Sequence, residues 1–416
     1  MFTNYVPKPQ RVRPSTPVLP THARRQNLSL VLQSLYSRGP MSRADLARTL
    51  GLTKVTVSEL VSSLLDSGHA VEVGRTTEGR MGKPGILIDV NRSGLQTIGI
   101  DLSDHRALHA AVLDLDGTVL ARAQRPFLLE EHTPGAAAAT PAPRDGAAAL
   151  ALVLELVAEC QAAATAPVLG IGIGTPGIVG RDGVVHTAPN LGWIDLPLRE
   201  RVAAASGLPV SVCNDADAAA HAEYSLGDGG DDLILVKIGR GVGCGLIVGG
   251  SRVRGAHLAA GEIGHVVVGT DGGTPCRCGK VGCLETWVSA PHLERALASA
   301  TAARLPRSAG SVGTVDARGP VDDPGDLGAD PLSAAGERLA IALAPVVAAL
   351  DLADVVLCGP EHLVVPALVD AVERTLRARM LLRTESELRI RLVAEPDDIV
   401  VRGAAALVLW DQLGVA

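Results

Sequence analysis

GEIGHVVVGTDGGTPCRCGKVGCLE, residues 261–285, concentrates the most distinctive chemistry of the chain. Cys276, Cys278 and Cys283 fall within eight positions, and His265 stands upstream across residues 266–275. Three thiolates and one imidazole satisfy tetrahedral Zn²⁺, and a four-ligand protein site is closed, hence structural. Gly279 and Gly282 allow the sharp turns that bring the sulfurs together. The chain holds seven cysteines, an odd number that argues against a disulfide framework. Cys160, Cys213, Cys244 and Cys358 lie in apolar stretches and read as packing residues.

Outward from this knot, the chain beyond residue 92 alternates strand-like and helix-like patterns. Strands are expected at 97–101, 107–113, 169–175, 210–213, 233–238, 243–248 and 355–358. Helices are expected at 145–164, 215–223, 291–303, 331–350, 366–379 and 403–413. The alternation predicts an α/β body over residues 93–416. Two stretches read as flexible surface insertions, an Ala/Pro loop at 131–144 and a Gly/Asp/Pro-rich one at 307–330. Aromatic residues are only 2% of 416, so Ala, Val, Leu and Ile must build the cores. No uninterrupted apolar run approaches the roughly 18 residues of a membrane span. The first twenty residues lack the apolar stretch of a secretory leader. Both observations favour a cytoplasmic protein.

The N-terminal quarter differs in charge. Residues 1–92 hold 13 Lys and Arg against 6 Asp and Glu, whereas residues 93–416 hold 25 against 39. A basic head on an acidic body suits a polyanion partner. Residues 1–21 are Pro-rich without periodicity and read as a disordered arm. Residues 22–92 then give a helix at 25–37, a second helix capped by Ser42 and a Gly51 turn. A third helix follows, capped by Thr53 and stopped by Gly68. Two short strands, 71–73 and 86–88, flank the Gly-rich tip 79–85. Helix, turn, helix and β-hairpin form the winged helix-turn-helix pattern, whose second paired helix enters the DNA major groove. Its expected DNA contacts are Thr53, Lys54, Thr56 and Ser58, with Arg80 and Lys83 of the wing in the minor groove.

Polar clusters punctuate the expected strand ends of the body: PNLGW at 189–193, NDAD at 214–217, GEIGH at 261–265 and CLE at 283–285. Singly, each suits a cap or turn as well as a ligand contact. Together with C-x-C-G-x-x-G-C-L-E they resemble the ROK family of repressors and sugar kinases. The resemblance covers roughly residues 24–413, and the head-plus-body layout is similar to regulators of the xylose and N-acetylglucosamine repressor type. It implies a two-lobed actin-like ATPase (sugar kinase) fold with a sugar cleft between the lobes. It also implies sugar contacts from Asn190, Asn214, Asp215, Glu262, His265 and Glu285. His265 would serve the metal and the sugar at once. Asp215 occupies the position of the kinases' general base.

The family's kinases carry Asp-x-Gly-Gly-Thr after the first strand, and here residues 101–106 read DLSDHR. Side chains replace the glycines that let backbone N–H groups approach phosphate, and Asp104 adds negative charge. A second glycine motif survives in part at 239–245, and a third reads Cys358-Gly359-Pro360, where proline removes a donor. The sugar half of the site is therefore expected to be intact and the nucleotide half broken, with Asp215 binding sugar rather than acting as a base. The expectation is a non-enzymatic, sugar-responsive regulator, most simply a repressor. It would be a homodimer or tetramer on an inverted-repeat operator, with structural Zn²⁺ and a monosaccharide effector. An ATP-dependent sugar kinase with a DNA-binding head, or a regulator released by a protein partner, are the alternatives.

Overall fold

The computed structural model describes residues 20–75, 85–104, 106–127, 145–269, 273–304, 330–381 and 388–415. The arm up to residue 19, most of the wing tip with Arg80 and Lys83, the insertion at 131–144 and residues 307–329 lie outside the described residues. The chain forms two compact units, one of residues 1–91 with 413–415, the other of 92–412.

The first unit runs α1 (Pro20–Arg38), β1 (Met41–Ser42), α2 (Arg43–Leu50), α3 (Lys54–Asp66), β2 (Ala70–Arg75) and β3 (Ile86–Val90). Helix α1 begins at Pro20, so residues 20 and 21 belong to it rather than to the expected arm. Proline suits a first helical turn, where its missing N–H has no partner to lose. Ser42 Oγ accepts from the Asp45 N–H at 3.2 Å and starts α2. Gly51 closes α2 in the left-handed conformation, at φ 67°. Thr53 Oγ1 accepts from the Thr56 N–H at 3.2 Å and starts α3. Val31, Leu35, Leu46, Val57, Leu60, Val61, Leu64 and Ile88 are buried together. The strands pair in the order β1-β3-β2, all antiparallel. This is a winged helix.

The second unit opens with β4 (Gln96–Asp101), β5 (Ala107–Leu113), β6 (Val119–Pro126), α4 (Gly146–Ala163) and β7 (Val168–Thr175). A small hairpin sheet follows, β8 (Ile178–Val179), β9 (Val185–Ala188) and β10 (Trp193–Leu196), then α5 (Leu198–Ser206), β11 (Val210–Asn214) and α6 (Asp215–Ser225). The remainder is β12 (Leu233–Ile238), β13 (Val242–Val248), β14 (Ser251–Arg252), α7 (Glu285–Val288), α8 (Ala290–Arg304), α9 (Pro331–Leu350), β15 (Asp354–Cys358), α10 (Pro366–Arg379), β16 (Arg389–Leu392) and α11 (Ile399–Leu413).

Two five-stranded sheets result, β11-β7-β4-β5-β6 and β14-β13-β12-β15-β16. Numbered from the first strand of each, both have the order fifth, fourth, first, second, third. In both, the first three strands are antiparallel neighbours and the last two are parallel. This duplicated α/β architecture is the sugar-kinase-like fold.

The scarcity of aromatics has a structural counterpart where α11 crosses the first sheet. A Cβ on Gly99 of β4 would lie 2.1 Å from the Val401 carbonyl, and one on Gly172 of β7 would lie 1.8 Å from that of Ala404. Helix and sheet backbones thus touch directly. Helices α4 and α9 are each long and apolar enough to cross a membrane by length and composition. Here each buries one face: Val153, Leu156 and Val157 of α4 in the first core, Leu339, Leu343 and Val347 of α9 in the second.

Candidate functional site

The cysteine knot is built by short-range backbone hydrogen bonds. Gly279 N–H donates to the Cys276 carbonyl at 3.0 Å, and Cys276 N–H to that of Lys280 at 2.8 Å. Gly279 and Gly282 adopt φ 89° and 77°, conformations that side chains resist. Val268 N–H donates to the Gly282 carbonyl at 3.0 Å and Leu284 N–H to that of Val266 at 2.8 Å, which carries His265 to the sulfurs. The ligating atoms of His265, Cys276, Cys278 and Cys283 all lie within 4.8 Å of one another. His265 Nδ1 is 3.6 Å from Cys276 Sγ, and Cys278 Sγ is 3.6 Å from Cys283 Sγ. Tetrahedral bonds of about 2.3 Å to zinc would hold sulfurs roughly 3.8 Å apart, so donor set and spacing fit that ion.

The Glu262–His265 segment is seated on β13. Cys244 N–H donates to the Gly261 carbonyl at 3.0 Å. Cβ atoms on Gly261 and Gly264 would lie about 2 Å from the carbonyls of Cys244 and Val242, at 1.9 and 2.1 Å. Glu285, at the start of α7, brings its Oε2 against Gly241, where a Cβ would sit 2.6 Å away. The Glu262 carboxyl is pushed above its ordinary value. Desolvation contributes most, then the Asp215 and Glu285 carboxylates, with His265 opposing. Asp215, His265 and Glu285 are thus the charged neighbours that act on Glu262.

Asn214 is the N-cap of α6. Its Oδ1 accepts from Ala216 N–H at 2.8 Å and Asp217 N–H at 3.4 Å, and its Nδ2 donates to the Gly177 carbonyl at 3.0 Å. Its side chain is therefore largely occupied in holding α6, with one amide N–H left over. Asn190 lies on the turn between β9 and β10. A Cβ on Gly177 would lie 1.9 Å from the carbonyl of Thr187 on β9, which brings that hairpin beside Asn214.

Asp215, the first residue of α6, has a partner that motif reasoning missed. Lys237 Nζ donates to Asp215 Oδ2 at 2.9 Å and to Ser103 Oγ at 2.8 Å. Ser103 stands in the turn after β4, where its N–H donates to Asp101 Oδ1 at 2.7 Å. Burial disfavours the Lys237 ammonium, but Asp215 and Asp101 outweigh it and hold the group above the ordinary lysine range. Burial pushes the Asp101 carboxyl up, against the pull of Lys237 and Ser103. Lys237 was legible only as a cation inside the apolar strand LILVKI. Its partners come from far away in sequence. Asp217 was also unassigned. It lines a small cavity with Cys213, Asn214, Arg254 and Leu258, and burial pushes its carboxyl up to about 6 against the pull of Arg252 and Arg254.

The turn after β4 differs from expectation in one respect. Asp104 turns its carboxylate to His109 of β5, with Oδ2 2.9 Å from Nε2, so its charge is shared with that ring. In the head, the Thr53 and Thr56 hydroxyls lie 2.8 Å apart and serve the α3 cap. Lys54 and Ser58 are exposed.

A duplicated α/β body with a His-Cys₃ knot, in a chain that also holds a winged helix, defines a protein of sugar-kinase-like fold. The chain belongs to the ROK family, whose model matches residues 97–410. It is 32% identical over 277 residues to the xylose repressor of Caldicellulosiruptor bescii, covering 66% of this chain and 65% of that one. It is 44% identical over 131 residues to the glucokinase of Halalkalibacterium halodurans, covering 31% of this chain and 40% of the enzyme. A solved ROK family transcriptional regulator, a homologue of the E. coli MLC protein, shares the fold. Its TM-score is 0.76 at 24% identity, over 94% of this chain and 98% of that one.

Proposed function

We propose that the protein is a sugar-responsive transcriptional repressor of the cytoplasm, released from an inverted-repeat operator when a monosaccharide enters the cleft. The observation that carries this reading is the Lys237–Asp215 pair in a chain that also holds a winged helix. A general base must be free to take a proton from the attacking hydroxyl. Here the carboxylate at that position already accepts from an ammonium, and side chains replace the glycines of the phosphate turn. Asp215 is thus suited to receive a sugar hydroxyl as a hydrogen bond rather than to deprotonate it. Relatedness to glucokinases gives the second reading, an active kinase.

In this scheme Asn190, Asn214, Asp215, Glu262, His265 and Glu285 bind the sugar. Zn²⁺ held by His265, Cys276, Cys278 and Cys283 supplies a fixed cleft wall and no chemistry. With Nδ1 turned to the sulfurs, the ring's other nitrogen is available to a sugar hydroxyl. Thr53, Lys54, Thr56, Ser58, Arg80 and Lys83 contact DNA in a homodimer or tetramer. Sugar shifts the equilibrium between DNA-binding and released forms through its different affinity for each.

The test is a thermal-shift screen of monosaccharides with and without Mg-ATP, on protein whose zinc content is measured. One zinc per chain is expected, lost in Cys278→Ser. A ligand at 100 times its Kd adds about 2.7 kcal/mol of stability, so one sugar should raise the melting temperature equally with and without ATP. Glu262→Ala should abolish that shift and keep DNA binding. ATP-dependent sugar phosphorylation would instead establish the kinase. No shift with any sugar would remove the cleft assignment.

A further inference from the structure

The exposed face of α3 carries two residues that the assignments above leave unused. Val57, Leu60, Val61 and Leu64 are buried on one side of this helix. Lys54, Val55, Ser58, Glu59 and Ser62 are exposed, at spacings of four that align them as one stripe. Val55 is 70% exposed, more than any other large hydrophobic side chain of the winged helix among the described residues. It stands in the first turn of α3, where a β-branched residue neither packs on the core nor favours the helix. Glu59 lies one turn further along, between Ser58 and the buried Leu60. Among the described residues Glu59 has no ion pair, although Arg43 and Arg48 of the same unit both have acidic partners.

Phosphates repel a carboxylate, so an acidic residue on a DNA-facing stripe is tolerable only where it meets a donor. In the major groove the exocyclic amine of cytosine is such a donor, and the 5-methyl of thymine is the apolar feature that an aliphatic side chain can cover. The Thr53 and Thr56 hydroxyls, expected to reach base edges or phosphates, also serve the helix cap, which holds them close to the backbone. The stripe is the freer surface for discriminating bases.

We propose that Val55 and Glu59 are the specificity-determining residues of the operator-binding surface, Val55 covering a thymine 5-methyl and Glu59 accepting from a cytosine N4 amine. The inference rests on the repressor reading above. Four residues of helix rise about 6 Å, so the two bases lie within about two base pairs of each other in each half-site, at a stacking rise of roughly 3.4 Å.

The experiment selects binding sites for the full chain from a random duplex library, then repeats the selection with Val55→Ala and Glu59→Gln. In the selected site each thymine is replaced in turn by deoxyuridine, which removes only the methyl group. At one position per half-site this should weaken wild-type binding about fourfold, the worth of one buried methyl. Val55→Ala should bind both duplexes equally. Glu59→Gln should exchange cytosine for adenine at a neighbouring position, because a carboxamide pairs with adenine N6 and N7. That is a gain of preference that a misfolded protein cannot produce. A selected consensus unchanged in both variants overturns the inference and leaves the repressor reading standing. Failure of the full chain to select any sequence overturns both.

Discussion

The two five-stranded sheets of the body share one strand order, yet the turns that follow their first strands have diverged. After β12 the chain keeps glycines at 239, 241 and 243, and Gly239 N–H donates to the Gly241 carbonyl at 2.9 Å. After β4 the corresponding turn is held by side chains, through Asp101 to Ser103 and Asp104 to His109. Near the ends of these equivalent strands stand opposite charges, Asp101 on β4 and Lys237 on β12, which share Ser103 as a neighbour. One turn is lined by glycines, with Glu285 Oε2 beside Gly241. The other is filled with protein groups. Two copies of one strand order thus carry turns closed in different ways.

The sharpest way to break this comparison is to remove the cation that joins the halves. Lys237→Met leaves Asp101 and Asp215 facing each other in a buried site. Deleting one partner of a buried pair costs about 3–5 kcal/mol, to be read from urea unfolding. Adding Asp215→Asn should recover part of the loss, since the orphaned charge is then gone. A loss under 1 kcal/mol in the single variant would mean that Lys237 does not hold the two turns together.

A smaller effect separates two glycines, one from each sheet, by packing. On β7 a Cβ at Gly172 would meet the Ala404 carbonyl at 1.8 Å, whereas on β13 a Cβ at Gly243 would meet only the Ala216 Cβ, at 3.4 Å. Helix backbone cannot give way as a side-chain tip can, so Gly172→Ala should cost about 3 kcal/mol, at the upper end for overpacking. Gly243→Ala should stay within about 0.5 kcal/mol. Equal losses would show that approach to a helix backbone is not what separates these two glycines.

Much of this was legible beforehand, for reasons that vary with the element. β5 and β12 were found to the residue because apolar runs of strand length announce buried strands, and α9 and α10 because proline opens both. β6 was missed. Its sequence VLARAQRP alternates around polar groups at a sheet edge, and only Ala123 is buried. α5 was missed for a similar reason, LRERVAAAS burying only Leu198 and Val202. The duplication was invisible because it resides in strand order, not in residues. The His-Cys₃ set could be read directly, since its ligands sit close together in sequence. Lys237 could not be paired with Asp215 from sequence, because they stand 22 positions apart with the rest of α6 between them.

The smallest effect concerns the side-chain-held turn itself. The Asp104 hydrogen bond raises the His109 pKa above its ordinary value, against burial and with help from Asp101. A raised histidine pKa stabilises the folded state fully below the unfolded value of 6.5, and the benefit is lost as pH rises through the folded value. Both side chains are about one-third exposed, so solvent screening limits the pair to about 0.5 kcal/mol. Wild type should therefore exceed His109→Gln in stability at pH 5.5 by that amount, and the two should converge at pH 8.5. The turn after β12 contains no histidine, so no such pH dependence is expected there. A stability difference independent of pH would mean that the Asp104–His109 contact is packing rather than charge, and that the two turns differ less in kind than their sequences suggest.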